Sequence, residues 1–315
     1  MAITGRFHCL RSGNGATAAV RVSVNLTNTP LQDQSSVAFD FVRTLAAELS
    51  AGNVDLPSFP EIAVRVRRVL SDPKSSVEQV VRVVGSEPAL AARLLRIANS
   101  ASLNRSGRPV NDLRTAINRI GYNMVRSASM SFSMTQIRKS NKLAGLGKRL
   151  NDLWQRSTLV AAFAYVLART CTKVNPDEAM LTGMMHGIGK LYVFTRAIDH
   201  PELLANDALL NQIVDEWHAS IGKAILENWD FSEPMARAVG DQADSSRTEE
   251  GPPDLTDVIA VAIVMAQHGA HIPGLEIALH GRAAVKRLGL DDAKTVEVMR
   301  ESATKVTALS QALGI

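Results

Sequence analysis

The sequence predicts an all-α protein, a multi-helix bundle in two packed helical subdomains. Apolar residues make up 46% of the 315 residues, but aromatic residues only 4%. Alanine, leucine and arginine, which favour helices over strands, are abundant. Along most of the chain the apolar side chains recur every three or four residues, as on the buried face of a helix.

Residues 1–35 differ from the rest, because they are rich in serine, threonine, asparagine and glycine. Within them, residues 19–26 alternate apolar and polar side chains, a pattern typical of a single β-strand. Because a lone strand has no partner with which to pair, we expect residues 1–35 to form a flexible arm or a small N-terminal appendage.

The first helical subdomain is predicted over residues 36–140. Ser86 is expected to cap a helix whose first turn contains Pro88, a position at which proline is tolerated. Gly85 and Gly121 are expected to end the helices that precede them. The other helices predicted from apolar spacing cover residues 36–49, 61–70, 76–84, 111–120 and 122–137.

The second helical subdomain is predicted over residues 146–315, after a polar break at residues 141–148. Gly145 and Gly147 in this break are the expected hinge if the two subdomains move. The helices predicted beyond the break cover residues 150–171, 176–195, 208–217, 219–229, 234–241, 255–269 and 293–313.

The short turn at residues 85–88 and the helices on both sides are similar to a helix-turn-helix. Arg93 and Arg96 are expected on the solvent side of the second helix, within reach of phosphates or base edges. Helix pairs joined by short turns are common in all-α proteins, however, and this basic face is small. The net charge of +4 permits a nucleic-acid partner without requiring one. Nucleic-acid binding is therefore disfavoured and is kept as an alternative.

Two histidines lie in apolar segments and are candidate site residues. His186 stands in a buried helical segment with Gly187 directly after it, and His218 lies between two predicted helices. They are expected to lie close together in the bundle. A catalytic metal centre needs three or more protein ligands, whereas buried polar groups ordinarily find protein partners. We therefore expect two hydrogen-bonded core histidines, with no metal and no cofactor.

Several segments form a specific combination, although no single segment is specific. They read LPSFP at 56–60, SEPALAARLL at 86–95, ANSA at 98–101 and AINRIG at 116–121, and continue through 153–154, 180–189, 218–222 and 229. Together they resemble the HDOD family, the HD-related output domain of bacterial signalling proteins. The likeness covers roughly residues 50 to 300.

That family is similar to HD-type metal-dependent phosphohydrolases, with which it shares the helical scaffold. In the catalytic relatives an early histidine, a His-Asp doublet and later histidines and aspartates hold the metal. The early position falls here near Arg156, the doublet on His186 and Gly187, and a later histidine on His218. An arginine beside a dication is repulsive, and the doublet has lost its aspartate. The resemblance therefore implies a degenerate HD site without catalytic residues.

The resemblance implies a non-catalytic output or regulatory module of bacterial signal transduction. Such a module would bind an unidentified signalling protein through a groove between its halves or through exposed apolar helix faces. One alternative is a residual metal-dependent phosphohydrolase, with Asp241 or Asp244 completing the ligand set. A further alternative is nucleotide binding without turnover. The candidate ligand-binding residues of this remnant site are Arg156, His186, Lys190 and His218.

The sequence also predicts a cytoplasmic protein that does not cross a membrane. No apolar run is long enough for a membrane span, and the N-terminus lacks the pattern of a signal peptide. Cys9 and Cys171 lie far apart without CxxC spacing, which is typical of a reducing compartment and argues against a zinc knuckle.

Overall fold

The computed structural model describes residues 4–6, 21–23, 32–51, 61–72, 74–100, 104, 108–138, 141–229, 231–244, 247, 251–268, 275 and 278–313. The described chain is an all-α protein, as the sequence predicts. Its helices are α1 Gln32–Ser50, α2 Glu61–Ser71, α3 Val77–Gly85, α4 Pro88–Ala98, α5 Leu113–Arg138, α6 Gly147–Cys171, α7 Pro176–Met185, α8 Ile188–Ala197, α9 Pro201–Leu204, α10 Asp207–Asn228, α11 Glu233–Gly240, α12 Leu255–His268, α13 Ala283–Leu288 and α14 Asp292–Leu313. A 3₁₀ helix, Asn141–Leu146, precedes α6.

Local capping explains where α3 and α4 begin. The Ser76 hydroxyl accepts a hydrogen bond from the backbone of Gln79, whose side chain accepts one from the Ser76 N–H in return. Pro88 occupies the first position of α4, as predicted. The expected cap at Ser86 was wrong, because Glu87 takes that position. Ser86 instead closes α3, and its hydroxyl donates to the carbonyl oxygen of Val83 at 2.7 Å.

The structure corrects two helix predictions near the candidate site. The helix predicted at 176–195 is two helices, α7 and α8, because the chain turns at His186 and Gly187. The two helices predicted at 208–217 and 219–229 are one continuous helix, α10. No proline or glycine interrupts the chain at residue 218, so His218 lies within α10 rather than between helices. The short helices α9 and α13 were not predicted.

Gly121 breaks α5 where the sequence predicts a helix end. Its φ of +75° and ψ of 162° lie in a region that glycine adopts readily and other residues avoid. The chain is helical on both sides of this break, in agreement with the separate helices predicted at 111–120 and 122–137. The helix therefore changes direction without an intervening loop.

The buried apolar side chains form two cores. The first lies between α2, α3, α4 and α5 and extends onto α6 and α7 through Trp154 and Met180. The second lies among α6 to α14. Phe41 and Leu45 of α1 are part of this second core, although α1 comes before the first core in sequence. Because α6 and α7 serve both cores, the boundary between the domains 36–140 and 146–315 stays a prediction.

The N-terminal segment contains two short strands, β1 Thr4–Arg6 and β2 Arg21–Ser23. They pair antiparallel, with Thr4 opposite Ser23 and Arg6 opposite Arg21. The strand predicted within residues 19–26 is therefore confirmed at 21–23, but the expectation that it has no partner was wrong. The LPSFP segment at 56–60 lies outside the described residues.

Within the described ranges, none of the helices combines the length and the apolar character needed to cross a bilayer.

Candidate functional site

Elements from four parts of the fold meet around the two histidines. Glycine makes the central contact possible, because a β-carbon on Gly189 of α8 would lie 1.9 Å from the carbonyl oxygen of His218 in α10. A β-carbon on Gly187 would meet the side chains of Leu153 and Ser157 in α6. Just beyond α11, residue 242 hydrogen-bonds to the turn between α7 and α8. The α7–α8 turn is thus enclosed by α6, α10 and the end of α11.

His186 closes α7 and is buried, with 3% of its surface exposed. Its Nδ1 lies 2.7 Å from the carbonyl oxygen of Gly183, one helical turn earlier. Burial lowers the pKa of His186 to about 4, with smaller contributions in the same direction from Lys190, His218 and Arg156. The imidazole is therefore neutral near pH 7.

His218 is buried in the middle of α10. Its Nδ1 lies 2.8 Å from the carbonyl oxygen of Val214. Burial lowers the pKa of His218, and the positive charge of Lys190 lowers it further. The prediction that both histidines are hydrogen-bonded inside the protein is confirmed by these two contacts.

The two hydrogen bonds fix the tautomer of each imidazole. A backbone carbonyl only accepts, so each Nδ1 carries the proton and each Nε2 presents a lone pair. Among the described residues, no donor reaches the Nε2 atom of either histidine. Nε2 is thus the nitrogen of each ring left for a hydrogen-bond donor or a metal, so the other residues of the ligand set are decisive.

That ligand set does not fit a metal centre. The resemblance assigns the doublet aspartate to Gly187, and a β-carbon there would lie 2.6 Å from Cδ1 of Leu153. A side chain at residue 187 would therefore require the Leu153 side chain to move aside. Over the described ranges, no three histidine, cysteine, aspartate or glutamate side chains form a group able to hold a metal ion.

The suggested substitute ligands, Asp241 and Asp244, do not join the histidines in such a group. Asp241 is the C-cap residue directly after α11, and Asp244 is exposed. The residue between them that reaches the site is Gln242, which sequence reasoning missed. Its buried amide donates to the carbonyl oxygens of His186 at 3.1 Å and Val239 at 2.8 Å. It thereby holds the end of α11 against the α7–α8 turn.

The structure brings all four predicted site residues close together, since Arg156, Lys190 and His218 each affect the pKa of His186. Lys190 lies in the first turn of α8, and its Nζ is 4.0 Å from Oδ1 of Asp215 in α10. Burial lowers the pKa of Lys190, Asp215 raises it, and Arg156 lowers it again. Arg156 is exposed on α6. We define the basic cluster as Arg156, His186, Lys190 and His218.

The expected position of Arg93 was wrong. Arg93 is buried rather than on the solvent side of α4, and its guanidinium lies 5.7 Å from the ring centroid of Phe132. One of its nitrogens donates to the hydroxyl of Ser131 at 3.5 Å. Arg96 is exposed, as expected. Of the two arginines proposed to contact nucleic acid, Arg93 is therefore buried in the core and Arg96 alone is exposed.

The chain matches the sequence profile of the HDOD domain over residues 56–245. This match covers more than half of the 315 residues and includes the whole basic cluster. The chain belongs to the HDOD family. Within this HDOD protein, α2 to α11 make up the matched domain, whereas α1 and α12 to α14 flank it.

The HDOD protein also has a relative of known sequence in Treponema pallidum (strain Nichols), an uncharacterized protein that is 25% identical over 212 residues. The match covers 62% of this chain and 39% of the Treponema protein. The chain thus spans about two fifths of that relative's length.

Solved structures similar to the HDOD protein carry names of different kinds. A candidate metal-dependent phosphohydrolase from Shewanella amazonensis SB2B has a TM-score of 0.66 and 28% identity, covering 86% of this chain and 99% of that one. A candidate signal transduction protein from Marinobacter aquaeolei VT8 has a TM-score of 0.57 and 19% identity, covering 91% and 68%. An HDOD domain protein of unknown function from Geobacter sulfurreducens has a TM-score of 0.51 and 17% identity, covering 86% and 99%. At their low identities, the last two show the fold alone.

Proposed function

We propose that this HDOD protein is a non-catalytic module of bacterial signal transduction that acts by binding a protein partner. Membership of the HDOD family supports a role in signalling. The proposal includes a cytoplasmic location, which the low number of cysteines favours.

The observation that carries the non-catalytic part of the proposal is the contact between Gly187 and Leu153. A metal-dependent hydrolase uses carboxylates to hold its metal and activate water. Here the resemblance places a glycine at the carboxylate position, and a side chain there would have to displace the Leu153 side chain. The two remaining imidazoles make a poor metal site without further ligands.

The first experiment is an elemental analysis of protein purified without chelator and without a histidine tag. We expect less than about one-tenth of an equivalent of iron, manganese or zinc per chain, because two imidazoles hold a metal weakly. We also expect no hydrolysis of bis-p-nitrophenyl phosphate when each metal is added. About one bound equivalent, together with turnover that His186→Asn abolishes, would overturn the proposal.

Partner binding needs its own test. Phe39, Tyr122 and Val296 are the large apolar side chains exposed in the described structure, at 56%, 39% and 51%. A photo-crosslinking amino acid placed at each position in living bacteria should join the protein to one specific partner from at least one site. The same residue placed at Arg300, an exposed charged position, serves as the control. Equal yields at all four positions, or crosslinks to no other protein, would contradict the proposal.

The alternatives predict different results. The residual phosphohydrolase is suggested by the name of the Shewanella neighbour, and metal analysis tests it directly. The nucleic-acid alternative would require binding that weakens steeply as salt is added, since phosphate contacts release counterions. The burial of Arg93 makes this alternative weaker than the sequence suggested.

A further inference from the structure

Helix α1 packs against α8, α9 and α10 rather than against the helices that follow it in sequence. It lies outside the matched HDOD domain, which begins at residue 56. Its buried side chains, Phe41 and Leu45, belong to the second core. Within the described part of the chain, no residue of α1 belongs to the first core, between α2 and α5. A segment from outside the domain therefore covers a surface that the domain provides.

Three side chains along one face of α1 make these contacts. Phe41 meets the ring of His200, the N-cap residue of α9, edge to face, with ring centroids 5.1 Å apart. Leu45 is buried one helical turn later. Glu48 follows after three more residues and binds α8. Positions i, i+4 and i+7 are the spacing with which an amphipathic helix lies in an apolar groove.

The groove under α1 has a polar end that fits a carboxylate. Tyr192 of α8 is buried, and its hydroxyl donates to the carboxylate of Glu48. Arg196, one turn later in α8, pairs with the same carboxylate at 3.0 Å and donates to the Tyr192 hydroxyl at 3.3 Å. Hydrogen bonds to charged groups are strong and directional. The groove therefore favours a helix that carries an acid at this position.

The outer face of α1 is open to water. Phe39, only two residues before the buried Phe41, is 56% exposed. Asp40 and Arg43 are also exposed and pair with each other at 3.0 Å. Elements that bury few apolar side chains are the first to open in a folded protein. Helix α1 is thus held along its inner face, in the way that a bound helical ligand is held.

We propose that the groove of α8, α9 and α10 is the surface that binds the protein partner, and that α1 occupies it until a partner helix displaces it. The partner that fits is an amphipathic helix with an aromatic residue, a leucine four positions later and a carboxylate three positions after that. Its aromatic residue contacts His200, and its carboxylate binds Tyr192 and Arg196. This inference rests on the proposed function, because it names the surface through which that function is carried out.

A fluorescent synthetic peptide of residues 32–51 tests the groove, with its binding to the full chain measured by anisotropy. In the wild-type chain α1 competes, so the apparent affinity is reduced to the fraction of molecules whose groove is open. A chain with Phe41→Asp and Leu45→Asp releases its own α1 and should bind the peptide at least about tenfold more tightly. Equal affinity for the two chains, or no binding to either, would overturn the inference.

Matched peptides test which face of the helix binds. The peptide with Phe41→Asp should not bind the released chain, because that side chain is buried in the groove. The peptide with Phe39→Asp carries the same change on the outer face and should bind as the wild-type peptide does. Equal weakening by both substitutions would contradict the proposed orientation and overturn the inference.

An exchange of charges separates groove binding from damage to the fold. In the released chain, Arg196→Glu should weaken binding of the wild-type peptide about tenfold, because two carboxylates then face each other. The peptide with Glu48→Arg should restore the affinity on this chain, which a misfolded chain could not do. A peptide that fails to restore binding would show that Arg196 does not select a carboxylate, and the inference would fall.

Light scattering distinguishes a partner helix from a second copy of this chain. We expect the wild-type chain to be monomeric with and without peptide. A dimer that the peptide dissociates would overturn the inference, because α1 of a second copy would then be the occupant. The peptide measurements need no cellular partner. If they succeed while crosslinking captures no other protein, the proposed function alone fails, and the reverse result overturns only the groove.

Discussion

Gly189 of α8 lies directly against the carbonyl oxygen of His218 in α10. A β-carbon at residue 189 would be 1.9 Å from that oxygen and 2.8 Å from the backbone nitrogen of Gly222. Real β-carbons do not approach backbone atoms so closely, so any other residue would separate the two helices. The position of His218 beside the α7–α8 turn therefore depends on the lack of a side chain at residue 189.

The first prediction concerns this contact. Gly189→Ala should lower the free energy of unfolding by at least about 3 kcal/mol, because the obstacle is backbone and has no rotamer to change. Urea denaturation followed by circular dichroism measures the loss. Gly145→Ala is the matched control, since a β-carbon there has nothing within 4 Å. A loss of similar size in both variants would show that the helix contact is not the cause.

The second prediction concerns the filled aspartate position. Gly187→Asp should destabilise the protein because its β-carbon meets Cδ1 of Leu153 at 2.6 Å. Leu153→Ala alone should also cost stability, by lost packing. The double variant should lose less than the sum of the two, with a coupling of about 1 kcal/mol in a double-mutant cycle. Strict additivity would mean that Leu153 is not what excludes the carboxylate.

The third prediction concerns pH. The pKa of His186 is about 4 in the folded protein and about 6.5 when unfolded. Between these values the unfolded state binds more protons, so stability should fall as pH drops from about 6.5 to about 4 and level off below. The loss from His186 should reach about 3 kcal/mol.

The control for this pH effect is His186→Asn, whose amide can still donate to the carbonyl of Gly183. The difference in unfolding free energy between wild type and variant, measured by urea titration from pH 4 to 8, isolates the histidine from the other titrating groups. A difference that does not change with pH would contradict the buried, neutral state of His186.

The fourth prediction concerns Gln242. Gln242→Met keeps most of the side-chain volume but removes the donor shared by the carbonyls of His186 and Val239. Because two buried acceptors lose a partner, unfolding should become easier by about 2 kcal/mol. The control is Gln155→Met, at an exposed position on α6. It should change the free energy of unfolding by less than about 0.5 kcal/mol. An equal loss of stability in both variants would show that the hydrogen bonds of Gln242 do not stabilise the fold.

Short-range signals in the sequence predicted much of the fold. The proline at residue 88 and the break at Gly121 act within a few residues, so predicting their effect requires no knowledge of packing. The error at His218 has the opposite origin. A helix end was predicted at residue 217, but no glycine or proline stands there to cause it. The helix α10 therefore continues through His218.

The sequence predicted which residues belong to the candidate site, but not how they are arranged. His186 and His218 stand in segments whose apolar pattern predicts burial, and both are buried. Arg93 shows the limit of that approach. Helical spacing placed it towards solvent, but α5 covers that side of α4 and presents Phe132 and Ser131 to the guanidinium.

By itself, the sequence determined that the chain is helical, where most helices begin, and which family segments it carries, because these depend on neighbouring residues. Only the tertiary structure decided that Leu153 fills the space beside Gly187 and that Gln242 reaches the carbonyl of His186. These contacts join residues that are 34 and 56 positions apart in the sequence. Contacts across such distances depend on how whole helices pack, which local residue patterns do not encode.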